Sequence, residues 1–434
     1  MYFFLKDDCY LVKGARGGAV YNLMNGSVHS IDPIAVKLIE ACEKGEKISR
    51  VSSRIPDIGF TDALAYLNRL DSEDLGNFYS GPKEVEKRPL SSSHDKLDFI
   101  WLELREDCNQ RCRHCYSQNN PPGTAERRLK KGEWMRVIYE AAGLGCQALQ
   151  FIGGEPLLYG EDLFSIAERA RKCDYKDIQL FSNLNILKDE WVDQIVEFGI
   201  SVSTSIYSKR PEIHDQITRV KGSHTRLLAN CRKLEKKGVN VRYCILVMKH
   251  NQDVVDETMA FLKELGMEDP QYGILRPSGG SIDSELVPDK FISEQKEKDA
   301  VFFPVNKGTF LWRFRGNACW RGKVDITSTG DVFPCIMQRN ESCGNVRENS
   351  LKDIIWGKKL QRFWRLSLDQ IEVCKDCEYR YVCHACQPVC YGSNGNHFCR
   401  KPWCHYNPYE ERHRAPLSMS VLAPKSNLRA VSSA

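Results

Sequence analysis

Cys108-Asn109-Gln110-Arg111-Cys112-Arg113-His114-Cys115-Tyr116 is the stretch around which this 434-residue chain is organised. Three and then two residues separate its cysteines, and the run follows an apolar segment ending near Leu104. Such spacing lets one turn of backbone point three thiolates at one centre, as iron–sulfur clusters and some zinc sites require. A structural zinc site is normally closed by four protein ligands, whereas three thiolates on a four-iron cluster leave one iron open for chemistry. No fourth ligand stands locally in the run.

Upstream and downstream of this loop the pattern is that of alternating strands and helices. Leu97–Leu104, Ala148–Ile152, Ile178–Phe181, Val202–Ile206, Val241–Met248 and Tyr272–Leu275 are apolar strand candidates. Helical stretches such as Trp134–Ala142, Leu163–Ala170, Trp191–Phe198, Leu227–Leu234 and Thr258–Leu265 lie between them. Six strand–helix units over 97–305 predict an α/β domain, a parallel sheet curled into a partial (β/α)6 TIM-like barrel. Working residues in such sheets sit at the C-terminal ends of strands. The cysteine loop stands there, past the first strand. The second strand ends in Gly153-Gly154-Glu155-Pro156, where two glycines allow close backbone approach to a ligand and Glu155 can anchor an ammonium group. Ser182-Asn183 follows the third strand, Ser205 ends the fourth, and Arg219-Val220-Lys221-Gly222 comes soon after. Cys146, Cys173, Cys231 and Cys244 fall on helix or strand faces and read as core.

Residues 1–85 read as a small α+β module. Tyr2 to Val12 has the loose alternation of a half-buried strand. Ala19–Leu23, Asn25-Gly26 and Val28–Ile31 form a hairpin signal, the Asn-Gly pair supplying positive φ. Asp32-Pro33 starts a helix and another is expected from Thr61. Cys9 and Cys42 read as core. Strands followed by helices in so small a unit fit a winged-helix-like fold. Polar residues without period then mark a linker, assigned to 86–96.

The last third, 306–410, is dense in cysteine: Cys319, Cys335, Cys343, Cys374, Cys377, Cys383, Cys386, Cys390, Cys399 and Cys404. By spacing alone Cys374, Cys377, Cys383 and Cys386 could close one zinc site, but the region has too many cysteines for one zinc. After residue 410 no core period is left, and 411–434 reads as a disordered tail.

Bulk numbers agree. Hydrophobic residues make up 42% and charged residues 27%, as in ordinary globular chains, and the length suits two or three domains. A net charge of +5 is too small on this length to argue for nucleic acid. No basic start leads into an apolar run, and no apolar run is long enough to span a bilayer, so a cytoplasmic chain without a membrane partner is expected. Nineteen cysteines in such a chain point to metal rather than disulfides.

The cysteine loop, with His114 before its last thiol, resembles the signature of the radical S-adenosylmethionine (SAM) enzymes, and the resemblance covers about 97–410. It implies that Cys108, Cys112 and Cys115 hold a catalytic [4Fe-4S] cluster that binds SAM beside His114. Gly153, Gly154, Glu155 and Pro156 would hold the amino group of SAM, and Ser182-Asn183 its ribose, although Leu184 stands where glycine is commoner. Ser205 would serve the ribose or carboxylate, and Arg219 would pair with the carboxylate. Tyr207-Ser208 replaces the Asp-Gly often seen in relatives. The late cysteines resemble the SPASM extension, which implies two auxiliary [4Fe-4S] clusters. Cys319, Cys335 and either Cys386 or Cys390 would hold the inner one; Cys374, Cys377, Cys383 and Cys404 would hold the outer one. Arg313 stands where some relatives have a further cysteine, so the inner cluster either has an open iron or takes Cys343.

The amino-terminal module looks like the PqqD-like leader-recognition element of peptide-maturing enzymes. The expected substrate is therefore a ribosomally made precursor peptide bound through its leader, with a flavodoxin or ferredoxin as electron donor. Thioether formation between a cysteine sulfur and a carbon is the first expectation, and a carbon–carbon cross-link the second. Sulfatase-maturase-like oxidation ranks third, because relatives of that kind carry an aspartate where this chain has Ile336. A non-enzymatic iron–sulfur or zinc protein is the alternative from a different class.

Overall fold

The computed structural model describes residues 1–83, 96–117, 125–275, 284–296, 305–383, 386–396, 398–400, 404 and 406–410. Positions 84–95, most of the expected linker, and the expected tail at 411–434 lie outside the described residues.

The amino-terminal module runs β1 (Tyr2–Leu5), β2 (Cys9–Lys13), β3 (Gly18–Asn22), β4 (Val28–Ile31), α1 (Pro33–Glu43), α2 (Ile48–Arg54), α3 (Phe60–Ser72) and β5 (Gly76–Tyr79). The single strand expected over Tyr2–Val12 is two. The charged triplet Lys6-Asp7-Asp8 turns the chain, closed by the Cys9 amide on the Lys6 carbonyl at 2.8 Å. β1 then pairs antiparallel with β5, while β2, β3 and β4 form a separate antiparallel sheet. In the β3–β4 turn only Gly26 of the Asn-Gly pair takes positive φ, at 79°. The turn is longer than a two-residue hairpin because the Asn22 side chain accepts the Met24 and Asn25 amides. Asp32 caps α1, accepting the Ile34 and Ala35 amides at 2.8 Å each. Cys9 and Cys42 are buried in the module core with Leu38, Ile39, Val51 and Leu67.

The second unit opens with β6 (Phe99–Arg105), α4 (Lys131–Gly143), β7 (Ala148–Gly153), α5 (Glu161–Lys172), β8 (Asp177–Phe181), α6 (Asp189–Glu197) and β9 (Ser201–Ser205). It continues with α7 (Pro211–Thr218), α8 (Ser223–Lys236), β10 (Val241–Val247), α9 (Val255–Glu264), β11 (Tyr272–Ile274) and α10 (Asp289–Lys296). β6 to β11 are parallel and lie side by side in chain order. Then come α11 (Lys307–Arg315), β12 (Lys323–Ile326), β13 (Asp331–Phe333), β14 (Gly344–Asn345), α12 (Leu351–Trp356), α13 (Lys358–Trp364) and α14 (Gln387–Asn394). β12 pairs parallel with β6, so the sheet continues past the barrel strands to nine members ending in the antiparallel β13 and β14.

Strand periodicity divides this sheet into two faces. Ile100, Leu102, Leu104, Leu149, Phe151, Ile178, Leu180 and Val202 are buried in the main core. The opposite face carries the register row Asp325–Trp101–Gln150–Gln179, with Glu103 one step further along β6. Gln150 donates to Gln179 at 2.9 Å within that row. A parallel strand covered on both faces would read as uniformly apolar. The polar row therefore marks the inner face as a place for chemistry.

The module leans on the late cysteine region rather than on the barrel strands. Tyr10, Tyr21 and Val28 pack with Val305, Phe310, Tyr381 and Val382. The Tyr21 hydroxyl donates to the Glu378 carbonyl at 2.7 Å, the Ala15 amide to Asp376 at 2.8 Å, and Arg380 to the Lys13 carbonyl at 2.9 Å. No described helix is long and apolar enough to cross a membrane.

Candidate active site

The cysteine loop leaves β6 and is clamped from both sides. On one side the Gly154 amide donates to the Arg105 carbonyl at 2.7 Å, and the Glu155 amide to Asp107 at 3.0 Å. A Cβ on Gly153, whose φ is 121°, would lie 2.4 Å from the Arg105 carbonyl oxygen; one on Gly154 would lie 2.1 Å from that of Asp107. What approaches these glycines is thus the root of the cysteine loop itself. On the other side the Arg111 and Arg113 amides donate to Thr218 and Ile217 at the end of α7, both at 3.1 Å. Arg128 holds Glu106 and Asp107 at 2.8 and 2.9 Å.

Cys108, Cys112 and Cys115 are half-buried and act electrostatically on one another. Burial pushes the Cys108 thiol up to about 11 and the Cys112 thiol to about 12, and raises Cys115 as well. As bare thiols they are neutral; a bound metal would take the place of their protons. Polar donors already face the sulfurs. Cys108 receives the Gln110 amide and the Asn183 side-chain amide, both at 3.4 Å, and Cys115 receives the Ser117 amide. Three softly buried thiols with donors aimed at them fit an iron–sulfur cluster.

The residues expected to touch a cofactor gather at this loop, several in roles the sequence did not disclose. Glu155 is fully enclosed, and its carboxylate accepts the Leu157 amide at 3.0 Å, the Ser182 hydroxyl at 2.7 Å and the Asn183 amide at 2.8 Å. Burial pushes its pKa up to about 7. Glu155 ties the end of β7 to the end of β8 through these donors of the chain. Ser182 is spent in the same knot, also accepting the Leu184 amide at 3.0 Å. Asn183 reaches the cysteine loop, donating to Asn109 at 2.6 Å. Pro156 begins a single 3-10 turn. Arg219 is exposed at the C-cap of α7, in the left-handed conformation (φ 57°), directly after the carbonyls that hold the loop.

His114 is half-buried, and desolvation lowers its pKa to about 4. Its ring meets that of Tyr207 edge-on at 4.9 Å, Tyr207 meets His214 at 5.2 Å, and His214 meets His224 at 5.3 Å. The His214 Nδ1 accepts the Tyr207 amide at 3.3 Å, which requires a neutral ring, and burial brings its pKa down to about 3. A histidine whose folded pKa lies below its unfolded value of 6.5 contributes stability that is lost as pH falls from 6.5 toward 3. His214→Phe is accordingly expected to flatten the decline of the denaturation midpoint between pH 7 and pH 5, read by urea titration under argon. An unchanged slope would contradict it.

The late cysteines fall into two groups and a remainder. Cys335 is acted on by Cys319 and Cys386, and burial raises its pKa. Cys374 feels Cys383 and Cys404, and Cys377 feels Cys383 and Cys374. Cys390, fully buried, turns its thiol to the Cys399 carbonyl at 3.0 Å. Cys343 is buried, with Glu341, Lys359 and Arg362 as its charged neighbours. Arg313 donates to the Tyr381 carbonyl at 3.0 Å and its charge is felt at Cys383. Among the described residues no three His, Cys, Asp or Glu side chains are placed closely enough to share one metal ion.

One constellation gave no motif. Arg339 reaches from the segment after Cys335 into the inner face of the sheet, where it pairs with Glu103 of β6 and, at 2.9 Å, with Asp325 of β12. Its guanidinium lies 5.7 Å from the Tyr116 ring and 5.2 Å from that of Phe333. Asp325 is fully buried, and burial drives its carboxyl pKa upward against the pull of Arg339. Glu103 acts on Cys115, and Asp325 acts on Cys335. The ionic group therefore stands between the cysteine loop and the first late group. The only hint in the sequence was a glutamate inside an otherwise apolar strand.

Residues 102–262 match the Radical SAM superfamily, and residues 319–378 match the SPASM iron–sulfur cluster-binding domain. The AdoMet-dependent heme synthase of Methanosarcina barkeri is 26% identical over 71% of this chain and 97% of its own length. The antilisterial bacteriocin subtilosin biosynthesis protein AlbA of Bacillus subtilis is 24% identical over 71% of each chain. In fold, the chain is similar to Streptococcus suis SuiB bound to its precursor peptide SuiA, with a TM-score of 0.55 and 14% identity over 93% of this chain and all of that one. The partial TIM barrel expected for the parallel strands is the fold of these neighbours. The chain thus carries radical SAM and SPASM domains and is a radical SAM enzyme, whose cofactors are SAM on a [4Fe-4S] cluster and auxiliary iron–sulfur clusters.

Proposed function

We propose that this enzyme oxidatively modifies a ribosomally made precursor peptide, joining a cysteine sulfur to a carbon as a thioether. Cys108, Cys112 and Cys115 would hold the SAM-binding cluster, with one iron left open by the three-thiolate set. When bound, these cofactors supply a carbon-centred radical able to take a hydrogen atom from an unactivated carbon. The chain's own contribution is placement. The Glu155–Ser182–Asn183 knot fixes the strand ends around the loop, the backbone of Gly153–Pro156 presents its free groups to SAM, and Arg219 is offered to the SAM carboxylate. Cys319, Cys335 and Cys386 would hold the inner auxiliary cluster across the polar inner face from the cysteine loop. Cys374, Cys377, Cys383 and Cys404 would hold the outer one.

The observation that carries the peptide reading is the amino-terminal module, seated directly on the segment between Cys374 and Cys383 through Tyr21, Ala15 and Arg380. A PqqD-like role, with a leader added as a strand to the module's small sheet, would bring a peptide to the same side as the late cysteines. The similarity in fold to SuiB extends over 93% of the chain. The electron for SAM cleavage would come from a flavodoxin or ferredoxin.

Anaerobic incubation with SAM, reductant and a cysteine-containing candidate precursor peptide tests the reading. The expected product is lighter by two hydrogens and has one cysteine resistant to alkylation. The same mass loss with every cysteine still alkylated would mean a carbon–carbon cross-link. SAM cleavage with no peptide mass change, and undiminished when the peptide is omitted, would overturn the peptide reading.

A further inference from the structure

We propose that a basic rim, made by Arg111 of the cysteine loop with Arg219, Lys221 and Arg226, is the docking surface for an acidic one-electron carrier protein. Its assignment rests on the reading above that a flavodoxin or ferredoxin supplies the electron for SAM cleavage. Backbone contacts build the rim. The Arg111 and Arg113 amides donate to the Thr218 and Ile217 carbonyls at 3.1 Å, so the loop lies against the turn between α7 and α8. Arg219 and Lys221 belong to that turn, and Arg226, near the start of α8, holds the Lys221 carbonyl at 3.1 Å. All four side chains are exposed.

Their charge is left uncompensated. Residues 109–125 and 216–234 contain no aspartate or glutamate. Among the described residues no carboxylate pairs with Arg111, Arg219 or Lys221, and Arg226 meets only the neutral Asn185 side chain and the Lys221 carbonyl. Asp215 is spent at the start of α8, accepting the Gly222 and His224 amides and the Ser223 hydroxyl. Elsewhere on the same domain exposed cations are matched: Arg210 with Glu257 at 2.7 Å, Lys233 with Asp189 at 2.9 Å and Lys237 with Asp193 at 2.8 Å. Transient redox encounters bury little area and depend on charge steering. Unpaired surface cations beside a redox centre raise the on-rate of an acidic partner by about 10–10³, an effect that salt screens. In the docked complex the carrier gives up one electron to the cluster held by Cys108, Cys112 and Cys115, and no bond is made or broken in that step.

The test compares wild type with Arg111→Glu/Lys221→Glu and with a charge-matched control, Lys233→Glu/Lys237→Glu, at the far end of α8, all reconstituted anaerobically. Calorimetry measures binding of an acidic flavodoxin at low and high salt. SAM cleavage, without precursor peptide, is driven either by that flavodoxin with NADPH and its reductase or by saturating dithionite. The rim variant is expected to bind flavodoxin about tenfold more weakly than wild type at low salt, with the gap closing at high salt. Flavodoxin-driven cleavage should fall in parallel, while iron content, dithionite-driven cleavage and the control variant stay at wild-type level. Equal losses in the rim and control variants, or no loss in either, would overturn the docking surface and leave the carrier reading standing. A rim variant equally impaired with both donors at full iron would assign these cations to the cluster itself, and overturn the surface too. Should the double variant load less iron, Lys221→Glu alone decides, and wild-type affinity there overturns the surface. A wild type that binds neither flavodoxin nor a ferredoxin, yet cleaves SAM with dithionite, would overturn the carrier reading and the docking surface with it.

Discussion

Replacing Cys108, Cys112 and Cys115 together with alanine is expected to remove about four of about twelve irons and to abolish formation of 5′-deoxyadenosine. The loop is fixed by backbone bonds to Arg105, Asp107, Ile217 and Thr218, none of which uses a cysteine side chain. The triple variant should therefore fold and keep the two late groups loaded. Single replacements elsewhere sharpen the result. Cys386→Ala should cost the inner cluster, because Cys386 acts on Cys335 beside Cys319. Cys343→Ala should leave iron unchanged, because that thiol stands among Glu341, Lys359 and Arg362. Iron and acid-labile sulfide analysis after reconstitution checks all three. A triple variant that retains the full iron content would refute the assignment, and so would one that loses everything.

Arg339→Met is expected to destabilise the protein by about 3–5 kcal/mol, the usual penalty for leaving buried charge uncompensated. Glu103 and Asp325 are 5% and 0% exposed, and both depend on this guanidinium. Methionine keeps much of the bulk against Tyr116 and Phe333, so the loss reports on charge rather than on a cavity. The sign of the pH response is a second check. Burial already drives the Asp325 carboxyl pKa upward, and without Arg339 nothing opposes that, so the variant's deficit should shrink as pH falls and Asp325 protonates. Combining Glu103→Gln and Asp325→Asn with Arg339→Met should recover part of the stability, since the members of one buried network do not add independently. Urea denaturation at pH 7 and pH 5 measures each point. A deficit that grows toward acid would show that the carboxylates are not what Arg339 serves.

Much of this protein is local and so was legible in the chain. Three thiols within eight residues can meet whatever lies around them, which is why the cysteine loop declared itself. The parallel barrel followed from strand and helix periods, and Asp32-Pro33 marked the start of α1 because a cap acts on the next few amides. Local reading failed first where a short charged triplet broke the apolar run over Tyr2–Val12.

What tertiary structure alone decided are the meetings of groups far apart in sequence. Glu103 and Arg339 are 236 residues apart, yet β12 pairing with β6 and the return of the chain after Cys335 bring them into contact. Glu155 meets Ser182 and Asn183, 27 and 28 residues further on, only through strand register. Cys386 and Cys390 are equivalent by spacing; only the fold turns the first toward Cys335 and the second toward Cys399. Spacing along the chain determines which groups can meet locally, whereas burial and register determine which charges and donors must find partners. Those requirements are satisfied only once the sheet has closed.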